Sequence, residues 1–213
     1  MTKRRWFLRR WFLRRRLFLF GLCALVSAGW FVSGPGKPGT SNDDVLAEAQ
    51  QPGFESKKIV PFVPTPQEVV EGMLEVAQVK KGDVVYDLGS GDGRIVITAA
   101  KKHGAQAVGF EIDPELIKQS RESIRKDGLE KLAEIREQDI LTVDLSRANV
   151  LTMYLLPSVN LKLRPKILSE MAPGSRVVSH AFNMGDWQPD KVVQIDGREV
   201  YYWTIPERNP FKN

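Results

Sequence analysis

The feature that most constrains this chain is a short apolar run that ends in glycines: Val84-Val85-Tyr86-Asp87-Leu88, then Gly89-Ser90-Gly91-Asp92-Gly93. A brief apolar run closed by turn residues reads as a buried strand. Glycines at its end allow the left-handed backbone of a tight reversal. Apolar residues at helical spacing follow, which predicts a helix from about residue 93 to 103. Strand, tight turn and helix in that order open a parallel sheet, and such sheets bind ligands at the carboxyl ends of their strands. The same short stretch therefore predicts both an architecture and the place of a site.

The body of the chain keeps alternating. Thr65-Pro66-Gln67-Glu68 predicts a helix start, with Thr65 capping, Pro66 in the first helical position and Glu68 completing a capping box. Val69, Val70, Met73, Leu74 and Ala77 then recur at helical spacing as far as Val79. Strands are predicted at 107–111, 133–136, 150–155 and 176–180, and helices at 114–126 and 160–171, the last with Pro165 inside it. Residues 192–195 and 199–205 flank Asp196-Gly197, a strong two-residue hairpin signal. The fold class expected is α/β: a doubly wound, mostly parallel seven-strand, Rossmann-like sheet with right-handed crossovers, ending in an antiparallel hairpin.

The residues before the body are of another kind. Residues 17–33 (LFLFGLCALVSAGWFVS) are uncharged and mostly apolar, and follow an arginine-rich flank. That length sits at the lower limit of a membrane-spanning helix and slightly above a signal-peptide core. Three readings stay open: an apolar anchor helix outside the fold, a removable export signal, and a mitochondrial presequence. Val26-Ser27-Ala28 suits cleavage, and RRWFL, at 4–8 and again at 9–13, resembles a twin-arginine core. Leu22 before Cys23 disfavours a lipoprotein signal. The corresponding locations are an inner membrane, bacterial or mitochondrial, or export after cleavage. Residues 34–56 are rich in Gly, Pro, Ser and acids and read as a linker, so the domains expected are 1–33, 34–56 and 57–213.

Charge follows the same division. The net charge of +5 comes from the N-terminus, where eight of the 31 basic residues fall in the first 16 positions. The remaining 23 face 26 acidic residues, a net charge of −3, so composition does not support a nucleic-acid partner. One cysteine and two histidines exclude an intrachain disulfide and a cysteine-based metal centre, and no metal is expected.

The ligand class follows from the acids around the glycines. The spacing is G-x-G-x-G and differs from the G-x-G-x-x-G of dinucleotide binders. Asp87 and Asp92 would repel a pyrophosphate resting on this turn, whereas S-adenosylmethionine (SAM) carries an ammonium and a sulfonium and no phosphate. Glu111, with Ile112 behind it, ends the second strand where ribose hydroxyls need acceptors. Asp139 and Ile140 follow the third strand, where the adenine amino group and ring edge would lie. The expected cofactor is SAM, held by Asp87, Gly89, Ser90, Gly91, Asp92, Gly93, Glu111, Ile112, Asp139 and Ile140.

YDLGSGDGRIV (residues 86–96), VGFEIDPELI (108–117) and QDI (138–140) resemble motifs I, II and III of seven-strand methyltransferases. PFVPTPQEVV (61–70), LLPSVNLKLRPKI (155–167) and VVSHAFNMGDWQP (177–189) resemble one branch. It is the family of protein-lysine N-methyltransferases whose eukaryotic members modify the adenine nucleotide translocase and the ATP synthase c subunit in mitochondria. The resemblance covers residues 61–206 and implies transfer of the methyl group of SAM to an exposed lysine of a protein, membrane-embedded proteins included. It also implies that Pro64 and Thr65 help to cover the cofactor, and that the apolar N-terminal segment targets a membrane.

Methyl transfer is an in-line displacement, so alignment is the main catalytic task. A lysine acceptor must also be neutral; deprotonation at pH 7 costs about 4.6 kcal/mol, which desolvation can offset. The segment after strand four, Met153-Tyr154-Leu155-Leu156-Pro157-Ser158, departs from the Asn-Pro-Pro-Tyr type of nucleobase and glutamine methyltransferases. Tyr154, Pro157 and Ser158 are the candidate catalytic residues. Tyr154, Phe62 and Trp187 are candidates for an aromatic wall around the amine, and His180 for a proton acceptor or a structural histidine. Two alternatives remain at this level: a small-molecule O- or N-methyltransferase and a non-catalytic, exported protein of the same fold.

Overall fold

A computed structural model describes residues 62–207. The N-terminal segments, including the expected anchor helix, and the start of the expected domain at residue 57 lie outside the described residues. The described chain runs α1 (Gln67–Val76), β1 (Val84–Leu88), α2 (Arg94–His103), β2 (Gln106–Glu111), α3 (Pro114–Lys126), β3 (Ala133–Glu137), β4 (Val150–Met153), α4 (Pro157–Glu170), β5 (Arg176–His180), β6 (Lys191–Ile195) and β7 (Arg198–Thr204).

The strands form one sheet in the order β3-β2-β1-β4-β5-β7-β6. Pairings among the first five are parallel, and β7 runs antiparallel to both β5 and β6. Connections run outward one way through β1, β2 and β3, then return to β4 on the other side of β1. The switch point thus lies between β1 and β4, where Leu88 pairs with Met153.

Helices cover both faces, so the central strands are buried on both. Val85, Ala107, Ile135, Val150 and Val178 face a layer that includes residues of α1, α2 and α3. Tyr86, Leu88, Phe110, Leu151, Met153, Val177 and Trp203 face α4 and the segment 140–148. The alternation Val85/Tyr86 and Val150/Leu151 is the period of two that sends successive side chains to opposite faces.

Local chemistry explains most element ends. Pro114 and Asp113 open α3 together: proline suits the first turn, and the Asp113 carboxylate accepts from the Glu115 N–H at 3.0 Å. Asp113→Ala is expected to cost about 1 kcal/mol, read as a melting temperature lower by about 2–4 °C. An unchanged melting curve would count against the cap. Asp196 and Gly197 both have positive φ, 49° and 70°, the mark of the tight turn that joins β6 to β7.

Four expectations about the elements are corrected. The start of α1 carries no capping box: Pro66 precedes the helix without a side-chain cap, and Thr65 Oγ1 lies 3.2 Å from His180 Nδ1 instead. The helix also stops at Val76 and not at Val79. β4 ends at Met153, two residues early, because Tyr154 and Leu155 leave the sheet to line a cavity. α4 begins at Pro157 instead of Asn160, since proline at the first position satisfies a helix start that apolar spacing alone did not reveal.

Candidate active site

The cavity sits at the switch point. The ends of β1, β2 and β4, the glycine turn, the segment 62–65 and Phe182 after β5 line it. Gly89, Gly91 and Gly93 all have positive φ, and the Gly89 and Ser90 N–H groups both donate to the Phe110 carbonyl at 2.9 and 3.0 Å. A Cβ on Gly91 would lie 2.3 Å from the Phe62 ring, and one on Gly89 would lie 2.9 Å from Leu155. The backbone of the turn is therefore open to the cavity while the chain closes over it from both sides. Gly109 in β2 is the hidden partner of this turn: a Cβ there would lie 2.5 Å from Ser90 Oγ.

Asp87, the last residue but one of β1, is 2% exposed and accepts from the Thr152 hydroxyl at 2.8 Å. Burial pushes its carboxyl up to about 7; the Thr152 bond opposes this, and the charges of Glu111 and Asp92 add to it. Glu111 is fixed from three sides: Oε2 accepts from Gly91 N–H at 2.8 Å, and Oε1 from Ile112 and Asp113 N–H at 2.9 and 3.1 Å. A carboxylate has about four acceptor positions, so Glu111 ties the glycine turn to the end of β2 and keeps a position for a ligand hydroxyl in the cavity it lines. Asp139 Oδ1 accepts from Leu141 N–H at 2.9 Å, with the Ile140 side chain buried beside it.

The charge reading of Asp92 is corrected. Arg94, the first residue of α2, donates through Nε to both of its oxygens, at 2.9 and 3.1 Å. The Asp92 charge is therefore balanced, and repulsion of a phosphate falls to Asp87 and Glu111. Arg94 Nη1 also donates to the Thr65 carbonyl at 2.7 Å, which holds the segment before α1 against the glycine turn.

On the β4 and β5 side the cavity wall is aromatic and aliphatic. Tyr154, Leu155 and Leu156 line it after β4, with Phe182 after β5 and Phe62 from the incoming chain. Tyr154 lies against His180 at a tilt, ring centroids 4.0 Å apart, and near-parallel to Phe182 at 6.1 Å. His180 is buried and bonded to Thr65, and burial lowers its pKa to about 4, with the Arg198 charge adding. It does not line the cavity and stands as a structural support beneath Tyr154. Pro157 and Ser158 open α4 on the exposed side and are not part of the wall. Trp187 is corrected as a wall residue: it packs on Trp203 at 5.6 Å and accepts that indole's N–H through its carbonyl.

Sequence reasoning does not find Phe182, Thr152 or Arg94. Arg94 directly follows the glycine turn and Phe182 lies just after a predicted strand end, so both are within reach of the strand-end rule. Thr152 carries no signal, because only pairing of β4 with β1 sets it opposite Asp87.

The residues present fit a cationic nucleoside cofactor. Asp87 is a buried carboxylate whose side-chain partner, among the described residues, is a neutral hydroxyl. The glycine turn presents backbone where a side chain would collide, and Ser90 Oγ is buried with no partner among the described residues. A family model described as the ANTKMT methyltransferase domain matches residues 87–191. The chain is 46% identical over 153 residues to a protein-lysine N-methyltransferase of Saccharolobus islandicus, covering 70% of this chain and 95% of that one. It is 35% identical over 163 residues to the adenine nucleotide translocase lysine N-methyltransferase of Mus musculus, covering 75% and 71%. Among solved structures, one described as an RNA methyltransferase from Salinibacter ruber, in complex with S-adenosyl-L-homocysteine, superposes with a TM-score of 0.68 and 55% identity. That match covers 70% of this chain and 98% of the other.

Fold, glycine turn and acids together make this chain a SAM-dependent methyltransferase. Within that class it belongs to the ANTKMT methyltransferase family.

Proposed function

We propose that this enzyme is a protein-lysine N-methyltransferase. The observation that carries the reading is the polarity of the cavity about β1. The ends of β2 and β3 bring the acids Glu111 and Asp139, whereas β4 and β5 lead into Tyr154, Leu155, Leu156 and Phe182. The acidic side suits the cofactor, which supplies a methyl group activated by its sulfonium. Asp87, Ser90, Glu111, Ile112, Asp139 and Ile140 would hold it, with Phe62 to Thr65 covering it. The apolar side suits an amine that must lose its proton: removal from water lowers a lysine pKa, and aromatic faces favour the cation that forms on transfer. Among the described residues no carboxylate lines that side. Tyr154 and its neighbours therefore act by desolvating and orienting the amine, and the released proton passes to water. The names of the relatives in Saccharolobus and mouse support the same acceptor.

The Salinibacter relative, described as an RNA methyltransferase, favours a second reading, an RNA acceptor. The mildly acidic body speaks against it. Incubating the full chain with labelled SAM, membrane extract and total RNA, then mapping the label, separates the two. Label on protein lysine is expected; label confined to RNA, lipid or a small metabolite would overturn the lysine reading.

The substrate side extends to location. We propose that residues 1–33 tether the enzyme to a membrane, close to a membrane-associated acceptor. Among the described residues no helix is long and apolar enough to cross a membrane, so attachment would fall to that segment. The full chain should sediment with membranes and lose this on deletion of 1–33. A full chain found only in the soluble fraction would refute the tether.

A further inference from the structure

Two of the stretches that mark the branch in sequence, 155–167 and 177–189, meet in space, and their meeting point lies outside the cofactor cavity. Asn160, on α4 and fully buried, donates through Nδ2 to Ser179 Oγ and to the carbonyls of Phe182 and Asn183, each at 3.3 Å. Ser179, also fully buried, donates to the Phe182 carbonyl at 2.6 Å. One helical turn further along α4, Arg164 donates to the Met184 carbonyl at 2.9 Å and pairs with Asp186. The turn so gripped contains Ala181 at φ 63°, a left-handed backbone that a residue with a Cβ rarely adopts unless its surroundings impose it.

Buried polar groups are costly unless bonded, and Asn160 Oδ1 has no partner among the described residues. A fully buried asparagine serving one strained turn is expensive for packing alone. Its output is the placement of Phe182 beside Tyr154 on the acceptor side of the cavity. We infer that Phe182 is a specificity-determining residue of the acceptor channel, and that Asn160 and Ser179 are positioning residues acting through it. This rests on the lysine reading above.

The experiment uses the full chain, with a peptide spanning the lysine labelled in the extract as acceptor. Phe182→Ala is expected to raise the KM for the peptide at least about tenfold while leaving the Kd for SAM within about twofold, and Phe182→Tyr should restore KM to within about threefold of wild type. Asn160→Ala should raise KM similarly. The double variant should be no worse than Phe182→Ala alone, because non-additivity is the mark of one residue acting through another. If Asn160→Ala does not fold, Ser179→Ala takes its place in the cycle. Wild-type KM in Phe182→Ala, or additive losses in the double variant, would overturn the inference while leaving the lysine reading intact. A wild-type enzyme that labels no protein lysine would overturn both.

Discussion

Asp87→Asn is expected to weaken SAM binding about 100-fold, the loss of roughly 3 kcal/mol when a buried cation loses its charged partner. The same substitution should raise the melting temperature of the ligand-free enzyme at pH 8. Asp87 is buried, its side chain accepts from the neutral Thr152 hydroxyl, and its carboxyl sits at about 7 in the folded chain against an ordinary value near 3.8. An acid whose pKa rises on folding costs stability as pH climbs through the interval between those two values, and the full cost is present above 7. Asparagine keeps the shape and can accept from Thr152 without that cost. A gain of about 2–3 kcal/mol, or ~5–10 °C, is expected at pH 8, vanishing near pH 4. Calorimetric titration and thermal melts read both effects. Unchanged SAM affinity would remove Asp87 from the site, and an unchanged melting curve at pH 8 would show that the native carboxylate is already compensated.

A pH profile follows from the same group. The cationic cofactor favours ionised Asp87, so wild-type affinity should fall as pH drops below about 7, and the Asp87→Asn profile should be flatter. His180 works in the opposite direction on stability. Its pKa falls from 6.5 to about 4 on folding, so stability is lost as pH falls through that interval. In wild type the two trends offset each other there; in Asp87→Asn the acid-side loss from His180 should stand uncovered.

Arg176→Met is expected to give the largest loss of stability, about 3 kcal/mol, or ~10 °C, with SAM affinity unchanged. Arg176 Nη2 donates to Asp83 Oδ1 at 2.7 Å, and Nη1 to the carbonyls of Ala77 and Gln78 at 2.8 and 3.0 Å. One guanidinium thus joins β5 to the turn between α1 and β1, at the end of the sheet away from the cavity. Removing it leaves the Asp83 carboxylate, on a residue only 3% exposed, with the Lys80 N–H as its remaining partner among the described residues. Asp83→Asn in the Arg176→Met background should recover part of the loss, because the stranded charge is gone. A fall of less than about 2 °C in Arg176→Met would show that water reaches Asp83 and that the pair is a surface one.

The order of the elements, the seven strands and the ligand side of the sheet are legible in the chain because they depend on local pattern. Apolar runs of strand length, helical spacing and the Asp196-Gly197 turn act over a few residues, and a right-handed crossover leaves little choice of how to join them. Asp87, Glu111 and Asp139 follow the same logic, since a residue at the end of a parallel strand must lie at the ligand edge. The failures are equally physical. Thr65 reads as a cap until His180, distant in sequence, takes its hydroxyl. Trp187 reads as a wall residue until Trp203 covers it.

The glycine turn, the acids at its edges and the class of cofactor they accept are written in the chain itself, because each depends on residues within a strand and the turn that follows. How those groups behave is settled only when distant segments meet. Pairing of β4 with β1 brings Thr152 to Asp87, Arg94 closes on Asp92 and Thr65, and α4 grips the turn that carries Phe182. Burial and partnership are properties of three dimensions. A carboxylate has the same letter in the chain whether water, an arginine or only a hydroxyl stands beside it.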